Sequence, residues 1–140
     1  DLVIMDQVDW LARTFHESWR SQGQALTGIL GQPVFRGSGR LRDGSPVSLK
    51  LERARPHTSA ILFFGGGVAT PLPVAGGTLV LPEFWSFREV VVGPEAETEL
   101  AFTWPGGIPA GIDFHGQFAV ADPGAPFGVA LSNAVTAVTE

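Results

Sequence analysis

From Pro33 onward apolar and polar residues alternate with a period of two, and each run closes at Gly, Pro or Asp, as short sheet strands do. Val47, Leu49 and Leu51 alternate with Ser48, Lys50 and Glu52, so that strand has one apolar face and one wet one. Leu100, Phe102 and Trp104 alternate with Glu99, Ala101 and Thr103, and Ile112, Phe114, Phe118 and Val120 recur around Asp113, His115 and Gln117. Ile61–Phe64, Leu79–Leu81, Val90–Val92 and Val129–Val138 add further apolar runs. The count comes to about eight strands, the usual number for a two-sheet sandwich. No internal repeat of roughly 20–50 residues is visible, which disfavours a solenoid or propeller.

The first thirty residues are patterned differently. Val8, Leu11, Phe15 and Trp19 recur at spacings of three and four, with Asp9, Arg13, His16, Glu17 and Arg20 between them, which is the period of an amphipathic helix. Asp6 is placed to cap its start and Gly23 to end it. Leu2, Val3, Ile4 and Met5 form a continuous apolar run ahead of it that needs a surface to pack on, and a strand is one form for it. The pattern therefore predicts an all-β, antiparallel β-sandwich over residues 33–140, preceded over residues 1–32 by an N-terminal amphipathic helix or extended arm.

Composition agrees with this picture. A chain of 140 residues that is 44% hydrophobic and 16% charged has enough apolar surface for one globular core. Its 18 Gly and 11 Pro, spread between apolar runs, favour many short strands over a few long helices. A net charge of −5 argues against a nucleic-acid partner. The absence of cysteine excludes disulfides, thiol nucleophiles and thiolate metal sites. No apolar run reaches the length of a membrane span. The chain starts at Asp1 without an initiator Met, so a processed mature chain or a piece cut from a longer one is expected.

The polar residues offer little catalytic pattern. His16, His57 and His115 fall in no metal-ligand spacing, and Asp113, His115 and Gln117 read as the solvated face of a half-buried strand. None of the serines sits in a nucleophile elbow, and Gly37-Ser38-Gly39 reads as a turn. Gly65-Gly66-Gly67 reads as a loop, because no Gly-Lys-Ser/Thr and no helix follow it. Glu95, Glu97 and Glu99 belong to the wet side of their strand, where exposed carboxylates make poor general acids. Trp104 is in register with Leu100 and Phe102 and reads as core. Trp85, in Glu83-Phe84-Trp85-Ser86-Phe87, is a candidate for stacking on a sugar. No catalytic, cofactor or metal site is expected.

Three stretches carry a resemblance. They are Gly76-Gly77-Thr78-Leu79-Val80-Leu81-Pro82, then Phe102-Thr103-Trp104-Pro105 with Ile108-Pro109-Ala110-Gly111, and Gln117-Phe118 through Asp122-Pro123, Pro126-Phe127-Gly128 and Ser132-Asn133-Ala134. Together they resemble a β-sandwich domain that recurs near the C-termini of large secreted proteins of planctomycete-type and myxobacterial-type bacteria. The resemblance implies a secreted, extracellular or cell-surface bacterial domain without enzymatic activity. Gly93-Pro94-Glu95-Ala96-Glu97 departs from the Asp-Ala-x-Gly turn of that family, and the first thirty residues lie outside the match.

Two features point to assembly. Arg36, Arg40, Arg42, Lys50, Arg53 and Arg55 outnumber Asp43 and Glu52 in one stretch, while Glu83, Glu89, Glu95, Glu97 and Glu99 outnumber Arg88 in another. Such patches either meet head-to-tail on copies or form a salt-bridged surface on one molecule. The second feature is the apolar set Leu2, Val3, Ile4, Met5, Val8, Leu11, Phe15 and Trp19, which needs a partner surface, either its own sandwich or a sheet edge on a neighbour. The expectation is a non-catalytic extracellular structural subunit that self-assembles, as a filament or other homopolymer, through its N-terminal arm, with copies of itself as partners. The alternative is a module that binds carbohydrate or the cell surface through Trp85.

Overall fold

A computed structural model describes residues 19–140. The chain runs through β1 (Arg20–Gly23), β2 (Val34–Ser38), β3 (Pro46–Glu52), β4 (Ser59–Val74), β5 (Gly77–Val91), β6 (Thr98–Thr103), β7 (Asp113–Ala121), β8 (Val129–Leu131) and β9 (Ala134–Val138). All pairings are antiparallel. One sheet has the order β1-β9-β7-β4-β5 with β8 beside β7, and the other the order β2-β3-β6. Among the described residues there is no helix, hence none long and apolar enough to cross a membrane.

The two sheets share one core, which makes the fold sandwich-like. Phe35, Val47, Leu49 and Leu51 of the small sheet face Leu62, Val90, Phe114, Phe118, Val120 and Val135 of the large one. The alternation in β3 is as the sequence predicts, with Val47, Leu49 and Leu51 buried. Each fully buried Leu or Phe contributes about 1.5–3 kcal/mol by leaving water. Trp104 is buried just beyond β6, its ring edge-on to Phe114 at 5.4 Å.

Several sequence readings need correction. Leu79–Leu81 and Val90–Val92 are not separate strands: β5 runs from Gly77 to Val91 and pairs with β4 almost end to end. Gly65-Gly66-Gly67 is not a loop but lies inside β4, where the pairing with β5 shifts register between Gly66 and Ala69. Glycine is required there because a side chain on Gly65 would run into the Phe84 carbonyl. Val129–Val138 divides into β8 and β9 at Ser132-Asn133. Beyond the shift, the distal half of the β4–β5 hairpin bends over the outer face of β7, closed by a two-residue turn with positive φ at Ala75 and Gly76.

That bend overturns the reading of Asp113, His115 and Gln117 as a solvated face. Asp113 is exposed, but His115 is only 6% exposed and Gln117 is fully buried. Gln117 Oε1 accepts from Val80 N–H (2.8 Å), and Nε2 donates to the carbonyls of Gln24, Thr78 and Ser132 (3.3, 3.1 and 3.0 Å). Three prolines also sit in this half of the hairpin, Pro71 and Pro73 on β4 and Pro82 on β5.

Arg20–Gly23, where the sequence pattern expects a helix to end, is a strand on the edge of β9. Its four residues are all exposed, so backbone pairing holds it rather than an apolar face. Trp19, just before it, is half-buried: its ring lies over Gly37 in the space a side chain there would fill. The ring meets Phe114 edge-on at 5.8 Å, and Nε1 donates to the Gly39 carbonyl at 2.9 Å. Gly37 and Ser38 therefore end β2 beneath the Trp19 ring and are not a free turn.

A candidate binding cleft between the sheets

The large sheet ends at β5 and the small sheet at β6, and neither strand has a further neighbour among the described residues. Between these edges lies an apolar cleft of about 700 Å³. Its walls follow from strand parity. β5 turns Phe84 and Arg88 toward it, β6 turns Leu100 and Phe102, and the floor is Leu62, Phe64 and the backbone of Gly65–Gly67 in β4. Trp104, Ile112 and Phe114 close the inner end. Phe114 is central, with Phe64 at 6.4 Å on one side and Trp104 and Trp19 on the others.

Leu100 and Phe102 alternate as the sequence predicts, yet they are incompletely covered: Leu100 is half-buried and Phe102 is 39% exposed. Phe84, at 74%, and Ile108, at 38%, stand at the rim. In a finished sandwich a further strand or loop would cover these positions. Among the described residues, Arg88 is the one titratable side chain in the lining. The described lining therefore offers apolar surface and backbone edges for binding. Among the described residues no group of His, Asp or Glu stands together as a metal site.

The sequence-predicted residues fall into three groups. Leu2, Val3, Ile4, Met5, Val8, Leu11 and Phe15, and His16 with them, lie outside the described residues. Trp19 packs in the core next to Phe114 and so next to the inner wall of the cleft. Trp85 lies on the opposite face of β5, 48% exposed, with its ring 6.1 Å from Phe63. Beside it Phe87 and Val91 are 61% and 69% exposed, giving the large sheet a partly uncovered aromatic outer face. A shallow depression next to Trp85 is lined by Val68, Leu72 and Glu83 among others.

Phe84, Arg88, Phe64 and Ile108 are cleft residues that pattern reading passed over. A signal was present: Phe84, Trp85 and Phe87 place aromatics on both faces of one strand, which means cover is needed on both sides. His115 Nε2 pairs with the Gly67 carbonyl at 3.1 Å, while Nδ1 is buried without a hydrogen-bond partner among the described residues. His115 thus braces the bend in β4 and lines no part of the cleft.

The two charged stretches meet at β3 and β6. Lys50 on β3 approaches Glu97 (3.7 Å) and Glu52 (3.8 Å), Ser48 donates to Glu99 on β6, and Arg36 pairs with Glu52 at 2.9 Å. Of these, Lys50–Glu97 is the ion pair that joins one stretch to the other, and such exposed pairs contribute little. Arg40 pairs with Glu140 at 2.6 Å; the hydrogen bond first, and then the opposite charge, hold its guanidinium pKa above the ordinary arginine value.

Residues on which the resemblance rests have structural work. Asp122 accepts from Ile29 N–H and Gly124 N–H, both at 2.8 Å. Asn133 brackets Phe35, accepting from its N–H at 2.8 Å and donating to its carbonyl at 3.0 Å. In comparisons with known proteins, no family model, no curated protein and no solved structure matches the chain.

Proposed function

We propose that the protein is a non-catalytic, extracellular structural subunit that self-associates through its N-terminal arm. The observation that carries this reading is an apolar cleft lying between two edge strands that have no further partner among the described residues. A surface of that kind recruits an extended chain by backbone pairing and alternate apolar side chains. The first eighteen residues include an apolar run and a second apolar stripe, and they join the fold at Trp19, which is fixed in the core. The extracellular placement draws on the resemblance of residues 33–140 to secreted bacterial domains.

Light scattering tests the reading. The full chain should measure as an oligomer or polymer and a chain starting at Trp19 as a monomer that keeps a β-sheet far-ultraviolet spectrum; equal masses for the two would overturn it. A second reading rests on Trp85, whose half-exposed ring beside Glu83 and Thr70 has the aromatic-plus-polar character of a sugar platform. Glycan-array binding that is lost in Trp85→Ala would establish it.

A further inference from the structure

We propose that the cleft between β5 and β6 is the acceptor for Leu2–Met5 of a neighbouring copy, which enters as an added strand with Leu2 and Ile4 turned inward. This rests on the assembly reading above and goes beyond it by naming donor, acceptor and chemistry. Three observations bear on the occupant. The cleft is bounded by two strand edges as well as by side chains, so it suits an extended peptide better than a compact ligand. Leu2-Val3-Ile4-Met5 is uncharged and apolar at every position, as a strand with an apolar partner on one side and a cover on the other would be.

The third observation is reach. Trp19 touches Phe114 at the inner end of the cleft of its own subunit, so the arm is rooted beside that cleft. Met5 stands up to about 45 Å from Trp19 on an extended chain, and about 20 Å on a helical one. The arm is thus long enough to deliver its apolar run to another subunit. Because the donor run and the acceptor cleft are different parts of the chain, each copy can donate to one neighbour and accept from another, which is how an open chain grows.

The absence of cysteine permits a direct test in the full chain. Ile4→Cys and Phe102→Cys are made as single variants and as a double variant, with Phe84→Cys as a second acceptor and Phe127→Cys, exposed and outside the cleft lining, as control. The single variants, one of them carrying a mass tag, are mixed and oxidised. A mixed disulfide between Ile4→Cys and Phe102→Cys or Phe84→Cys, at least tenfold above that with Phe127→Cys, and a ladder of sizes from the double variant, are expected. A double variant that closes only an internal disulfide would assign the arm to its own cleft and overturn the proposal. Absence of any cleft cross-link would overturn it too, and light scattering on the same samples separates the cases. An oligomer without the cross-link leaves assembly standing and removes this acceptor, whereas a monomer removes both.

Discussion

Every polar atom of the Gln117 side chain is engaged by backbone, and those partners come from the segment after β1, from both positions of β5 that cross it and from the end of β8. Replacing it with Leu keeps the volume but strands the Val80 N–H and weakens three carbonyls in a dry site. The expected cost is about 2–4 kcal/mol, read as a lower urea midpoint at unchanged slope. A change below about 0.5 kcal/mol would mean the amide is not the clasp described here. Gly65→Val should destabilise by about 2 kcal/mol or more in the same assay, because its side chain meets the Phe84 backbone, which has nowhere to go. The burial of Gln117 was hidden in the sequence. Alternation in β7 correctly separates the residues of its two faces, but it is silent on whether a hairpin sixteen residues long on one arm folds back over the second face. The bend depends on Gly65-Gly66-Gly67, and a triple glycine reads locally as a loop.

At the scale of elements, strands with one covered face were legible and strands held by other means were not. β3 is readable because Val47, Leu49 and Leu51 all point into the core. β1 is not, because its exposed side chains carry no pattern and only its pairing with β9 defines it. The helical spacing ending at Trp19 is overruled at Arg20 by that pairing. Two predictions follow from this junction. Trp19→Ala should cost about 2–3 kcal/mol in thermal or urea unfolding, through the lost ring contact with Phe114 and the lost bond to Gly39. A chain starting at Trp19 should keep a cooperative melt, whereas one starting at Gly31 loses β1, the Leu26–Leu131 backbone pair and the Ile29 bond to Asp122, and should melt at least about 10 °C lower. The shorter chain also lacks Trp19, so equal melting of the two truncations would show that neither the Trp19 ring nor β1 stabilises the fold. The candidate cleft was half legible: Leu100, Phe102 and Trp104 announce an apolar face, but that nothing described covers it is a fact of sheet order, which no local pattern contains.

For the whole molecule, the described lining of the cleft is apolar apart from Arg88, so association through it does not draw on attraction between charges. Association through an apolar cleft should therefore persist when salt is raised from about 0.1 M to 1 M, where screening confines charge effects to about 3 Å. Dissociation over that range in light scattering would point back to the charges. The bent hairpin has one more consequence, for misassembly. Along the far half of β5 the Thr78 carbonyl and the Val80 N–H are already taken by Gln117, and Pro82 has no N–H to give. The nearer half, Phe84–Val91, carries no proline and runs beside the cleft. A stray strand arriving at this border finds a blank margin on one stretch and a legible line on the other, so along β5 a newcomer is confined to the length beside the cleft and cannot run the whole strand as an amyloid-like template would let it.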